Sequence, residues 1–284
     1  MTFAAQETSR SKGEPITLYH FQYGADFEHY FGYTDAETSI VVDGRTYEPQ
    51  PIVMGNIRSS GTLERQPVKV RTPQNVRLAD LFRLYPPSQV ISLVQRRGHV
   101  GDPDNQFLVT WVGRVLGCER KGNEAEYTCE PVSTSLKRKI LRRHYMYGCP
   151  HVLYGAQCRA SKAAATSTKT VLSVSGSWVT LASNWATADR KQKYVGGTVE
   201  WIGLGGLKEV RTIQKVEGPD QNQLLLGGEA TGMVAGMSID VILGCNRLGG
   251  LEEDCLAIHG NIHNFGGFLW IPTKNPIGIK NSFY

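Results

Sequence analysis

The chain has 284 residues, of which 40% are hydrophobic and 20% charged, and its formal charge is +5. This is an ordinary globular balance: the length suits one large domain or two of usual size, each able to bury a core without cysteine staples. The charge is too mild to single out a nucleic-acid binder, and no stretch reaches the ~18 apolar residues needed for stable membrane insertion.

The chain opens on MTFAAQETSRSKGEP, polar and small with no apolar secretory core, so residues 1–14 read as a flexible arm and synthesis in the cytosol is expected. After Pro15 the sequence becomes strand-like. ITLYHFQY alternates, YFGYTDAETSIVVDGRTYEPQPI holds two short strands around an Asp43-Gly44 turn, and VKVRT and FLVTWVGRVLGCER continue the pattern. RLADLFRLYPPS reads as a short helix stopped by Pro86 and Pro87. Together these make a β-rich domain over 15–145.

Ser133 and Ser135 are candidate N-caps for a helix over 132–146, whose LKRKILRRHY run is the densest basic stretch. It reads either as a solvated helix face or as a nucleic-acid contact. A cysteine-containing connector over 146–164 follows, with the small, polar composition of a linker in RASKAAATSTKT. From 165 to 243 short strands alternate with Gly-rich turns, the pattern of a second, smaller β-barrel, and a further cysteine-containing segment occupies 244–284. The fold class is mainly β: two barrel-like domains with short helices and a C-terminal cysteine-rich loop region.

Six cysteines in a reducing compartment point to thiolate chemistry or buried apolar filling rather than to three disulfides. Cys149 and Cys158 precede the second β unit, and Cys245 and Cys255 follow it. If the first and last strands of a barrel lie side by side, the two pairs meet in space. Four thiolates suit a metal or an iron-sulfur cluster, and intervals of eight and nine residues suit the bulkier cluster better than a single zinc. Buried reduced thiols and a disulfide pair remain the alternatives. Gly148, Gly155 and Gly244 are candidates for letting backbone amides approach a cluster. Cys118 and Cys129 flank a turn near Gly122 and Asn123 and read as packing neighbours on adjacent strands. Cys149 with His151, or Cys255 with His259 or His263, raises a cysteine-hydrolase alternative, but no G-x-S-x-G or oxyanion motif accompanies them. The histidines read as hydrogen-bonding groups of the loops.

At CPHVLYGAQC, the later cysteine pair and HNFGGFLWIP, the sequence resembles the tail-tip baseplate hub family of long-tailed phages and gene transfer agents, which includes lambda tail tip protein L. The resemblance implies a non-enzymatic structural protein of the virion tail tip, assembled in the host cytoplasm. It implies a homotrimer that joins the tail tube protein and distal tail protein to a central tip or fibre protein. The tape-measure protein and DNA would only pass through its lumen. It also implies a 4Fe-4S cluster ligated by Cys149, Cys158, Cys245 and Cys255; the alternative is a zinc held by the same four residues.

Overall fold

The computed structural model describes residues 3–9, 11, 13–25, 29–57, 67–137 and 144–271. The chain divides into two compact units, 1–139 and 140–284.

In the first unit, β1 (Pro15–Tyr23), β2 (Tyr30–Thr34), β3 (Ile40–Val42), β4 (Arg45–Pro49), β5 (Val53–Met54), β6 (Val68–Pro73), β7 (Ile91–His99), β8 (Leu108–Lys121) and β9 (Glu124–Pro131) form one sheet. Its order is β3-β4-β2-β1-β7-β8-β9-β6-β5. Alternation explains the register: in β6, Val68, Val70 and Thr72 turn inward while Lys69 and Arg71 face out. The β3–β4 connection is the two-residue turn the Asp-Gly pair demands, with φ of 53° at Asp43 and 73° at Gly44. Phe21 anchors the core, its ring 6.1 Å from those of both Tyr33 and Tyr127. Strand β7 carries no clear sequence signal because Gln95, Arg96 and Arg97 interrupt its apolar alternation, yet it pairs with β1 along its whole length.

Several elements depart from the sequence reading. The expected helix before Pro86 shrinks to α2 (Arg77–Asp80), because i to i+3 bonds from Phe82 to Ala79 and from Arg83 to Asp80 tighten the chain. The tighter path sets Phe82 edge-on against Tyr127. Residues 3–7, within the expected arm, form α1 (Phe3–Glu7): the Glu7 carboxylate pairs with His99 at 2.7 Å and Phe3 meets the same imidazole edge-on.

Of the helix expected over 132–146, the described residues show a 3-10 turn at Val132–Lys137, where the Thr134 hydroxyl donates to the Pro131 carbonyl, and no helix at 144–146. Most of the basic run, 138–143, lies outside the described residues.

The second unit centres on a closed antiparallel barrel of β10 (Thr166–Ser175), β11 (Trp178–Leu181), β12 (Thr198–Ile202), β13 (Lys208–Glu217), β14 (Gln223–Leu226) and β15 (Ser238–Ile242), in the order β10-β11-β14-β13-β12-β15. Short helices α3 (Lys162–Ala165), α4 (Ala188–Lys191) and α5 (Asp254–Ala257) flank the strands. Val171, Leu181, Ile213, Leu224 and Val241 fill the core, and the buried indoles of Trp185 and Trp201 donate to the carbonyls of Gln221 and Thr231. The stretch read as linker is α3, capped by the Ser161 hydroxyl, followed directly by β10. Its Ser and Thr residues are compatible with a strand because Val171 is the only residue of β10 that is buried. Among the described residues no helix is long and apolar enough to cross a membrane.

Candidate functional site

Barrel closure brings the two distant cysteine pairs together. The start of β10 pairs with the end of β15, Thr166 opposite Ile242. The chain carrying Cys149 and Cys158 therefore enters the barrel where the chain carrying Cys245 and Cys255 leaves it. All four line one cavity of about 60 Å³. All six cysteines of the chain are free thiols.

The junction is tight enough to require glycine. A Cβ on Gly197 would sit 2.0 Å from the Ile242 carbonyl oxygen, and one on Gly244 would sit 2.1 Å from that of Val195. Gly244 is thus fixed by backbone packing rather than by approach to a ligand, and a Cβ on Gly148 would meet nothing closer than the Arg247 carbonyl at 3.8 Å. The donors that reach sulfur lie elsewhere. The Arg247 amide donates to Cys245 Sγ at 3.3 Å, the Gly266 amide to Cys149 Sγ at 3.4 Å, and the Asn261 side-chain amide to Cys158 Sγ at 3.5 Å.

Three segments interlock around this cavity. The Cys149 amide donates to the Arg247 carbonyl at 2.8 Å, and Asn261 Nδ2 donates to the Cys158 carbonyl at 2.5 Å. The Tyr154 hydroxyl donates to Leu243 at 2.6 Å, while His259 Nε2 bonds the next carbonyl, that of Gly244, at 2.8 Å. Asp254, beside Cys255, accepts from Lys193 Nζ and from the Asn246 amide, each at 2.8 Å. Tyr154, Arg159 and Arg247 all adopt positive φ in these loops, at 59°, 58° and 62°. Such backbone is costly for non-glycine residues and persists only where the surroundings over-determine it.

Sequence reasoning missed Asn261, Arg247 and Tyr154. The available signal was the Asn and Gly density of NIHNFGG. Its glycines have physical reasons: a Cβ on Gly266 would fall 2.5 Å from the His151 ring, and one on Gly267 would fall 2.3 Å from the Tyr147 carbonyl oxygen.

The electrostatics are those of thiols that oppose one another's ionisation. Burial pushes Cys255 up to about 11, with the nearby Cys245, Cys149 and Cys158 adding to the shift. Burial likewise raises Cys245, assisted by Asp254, Cys158 and Cys149. A bound cationic centre would reverse this, since metal ligation holds cysteine as thiolate. Among the described residues no three His, Cys, Asp or Glu side chains converge closely enough to hold a metal ion, so the four thiols share a cavity without meeting at one point.

A nucleophilic thiol needs to ionise near neutral pH, and Cys255 is shifted the opposite way. His151 Nδ1 bonds the Asn264 carbonyl at 3.0 Å, and His259 is engaged with Gly244. Cys118 and Cys129 lie on adjacent strands but not opposite each other: Cys118 faces Tyr127 and Cys129 faces Val115, with a bulge between. Cys129 is fully buried and its thiol is pushed up to about 12, as expected of a packing residue.

The family described as baseplate hub protein, N-terminal attachment domain, matches residues 24–161. Residues 24–161 are thus similar to a baseplate hub attachment domain. The chain is also similar in structure to a chain of the virion of a native gene transfer agent particle. The TM-score is 0.75 at 18% identity, covering 96% of this chain and 92% of that one. At that identity the likeness establishes the fold. Comparison with curated proteins returns no match.

The attachment domain takes in the sheet from β2 to β9 and runs past residue 139 to include Cys149 and Cys158, whereas Cys245 and Cys255 lie outside it. The hub assignment is to a structural, non-enzymatic protein. Within the matched segment the Glu126 carboxylate takes Lys69 at 2.6 Å, Arg71 at 3.0 Å and Lys121 at 3.3 Å. These bonds, Lys69 foremost, hold its carboxyl down to about 2 against a desolvation effect that opposes them. This is an ion-pair network on a sheet face, three half-exposed cations around one buried carboxylate.

Proposed function

We propose that the chain is the hub that couples the tail tube and distal tail proteins of a long-tailed phage or gene transfer agent to a central tip or fibre protein, acting as a homotrimer through which the tape-measure protein and DNA pass. We further propose that Cys149, Cys158, Cys245 and Cys255 hold a 4Fe-4S cluster. The observation that carries the cluster reading is that four thiols, dispersed over more than a hundred residues of sequence, line one cavity at the seam of a closed barrel. The donor chemistry supports this reading: four thiols, with amide N–H groups directed at three of the sulfurs, are what stabilises thiolate ligands of a cluster. When bound, the cluster would cross-link the segments entering and leaving the barrel.

The test is iron, zinc and acid-labile sulfide analysis of anaerobically purified protein, with single alanine variants at the four cysteines. About four irons and four sulfides per chain, lost in each variant, are expected. Zinc alone would replace the cluster by a structural ion, and no metal would leave four free thiols lining a cavity. Light scattering tests the trimer, and co-purification with the distal tail and tip proteins tests the coupling.

A further inference from the structure

The hydrogen bonds around the four-thiol cavity join its segments to each other and to the barrel without requiring anything inside it. Tyr154, from the first cysteine loop, and His259, from the segment after Cys255, grip the consecutive carbonyls of Leu243 and Gly244 just before Cys245. The two rings also meet edge-on at 5.8 Å, so each fixes the other's orientation. Asn261 spans the carbonyl and the sulfur of Cys158, and its own amide oxygen accepts from Asn264 Nδ2 at 2.7 Å, which sets the direction of its donor. Lys193, just after α4, ties Asp254 at the start of α5 to the barrel.

We infer that Tyr154, His259 and Asn261 are positioning residues that fold the loops of the four-thiol cavity independently of metal, so that loading draws together the thiols of an already folded cavity rather than driving the folding of its loops. The inference rests on the reading of the cavity as a metal site, although the preformed shape is measurable apart from it. Many small metal domains are unfolded without their ion because nothing else closes the ligand loops. Here each loop has several protein partners, and the closed barrel fixes where the loops begin and end.

The experiment is amide hydrogen exchange on the full chain, before and after stripping metal with a chelator and reductant. Peptides covering 146–159 and 243–268 are compared with barrel peptides from 166–242 as the folded control. The amides of Cys149, Asn261 and Gly266 are each bonded within the cavity wall, so these peptides should stay protected in the stripped protein. His259→Ala should speed exchange there roughly 3- to 10-fold, the effect of removing one hydrogen bond, while the barrel peptides hold. His259→Gln offers an amide donor at similar reach and should recover most of the protection. Tyr154→Phe and Asn261→Ala should act in the same direction.

Protection in the stripped wild type upholds the inference even if metal analysis fails to find a cluster. Exchange at unstructured rates in those peptides, with the barrel still protected, would overturn it while leaving the cluster reading intact. If His259→Ala and His259→Gln behave alike, the assignment of His259 fails.

Discussion

The barrel and the cysteine loops of the second unit are held together by different physics. The barrel buries a continuous apolar core, with Leu224, Val179, Val199 and Val241 fully inaccessible. That attraction is nondirectional and spread over many side chains. The loops have few buried apolar side chains of their own. Their shape rests on individually directed hydrogen bonds, on glycines at close approaches and on residues at positive φ. A barrel strand is therefore specified by pattern, and many apolar substitutions preserve a pattern. A loop of this kind is specified residue by residue.

The largest expected effect comes from the barrel. Leu224→Ala leaves a cavity in the core and should cost about 2–5 kcal/mol, read by denaturant unfolding of the full chain. The thiols should become reactive in the same transition, because the loops depend on β10 and β15 for their placement. A second unit whose thiols open well before its barrel would break the dependence. Gly266→Ala is the complementary loop variant. Its methyl group would press on the His151 ring, and overpacking of this kind costs about 1–3 kcal/mol. The loss should be confined to the loops, with barrel exchange protection unchanged. Loss of barrel protection in Gly266→Ala would mean that the loops support the barrel as well as the reverse.

The same contrast decides what was legible in the sequence. Gly-rich turns between alternating strands announced a β-barrel, and its closure allowed the two cysteine pairs to be brought together in advance. The Asp43-Gly44 turn was readable because few sequences tolerate two consecutive residues at positive φ. Strand β7 was not readable: its place between β1 and β8 overrides a basic run that breaks the local pattern. The helix over 132–146 was predicted from apolar spacing, yet the Thr134 side chain takes the Pro131 carbonyl and the described part is a 3-10 turn. At the site, the four cysteines were legible as a set because their chemistry is rare. Tyr154 and Arg247 were not, since Tyr154 bonds the distant Leu243 carbonyl and Arg247 acts through its main chain on Cys149 and Cys245, which no residue type announces; for Asn261 the Asn and Gly density of NIHNFGG is the local hint. The glycines beside the cysteines illustrate the limit: their presence was noticed, but Gly244 answers to the Val195 carbonyl and not to a ligand.

The smallest effects separate the two regions by pH. On the barrel wall, Glu200 is desolvated, which alone would raise its carboxyl, but Lys162 at 2.6 Å and Lys208 at 2.8 Å outweigh this and the net shift is downward. A carboxyl depressed in the folded state contributes stability above its unfolded value near 4.5, and the contribution disappears as pH falls through the lower folded value. In the loop clamp the sign is opposite. The hydrogen bond to Asp254 raises Lys193 above 10.5, so its contribution is complete below 10.5 and is lost as pH rises through the folded value. Acid should therefore loosen the barrel wall at Glu200, and alkali should loosen the clamp between α5 and the barrel. Glu200→Gln should flatten the acid limb of a stability profile and leave the alkaline limb alone; Lys193→Met should do the reverse. Both pairs are partly solvated, so each effect should be small, and exchange protection resolved by segment is the measurement able to detect it. If both variants alter the same limb, the barrel wall and the loop clamp are electrostatically one system, and the division between a core held by burial and loops held by directed bonds does not extend to their charges.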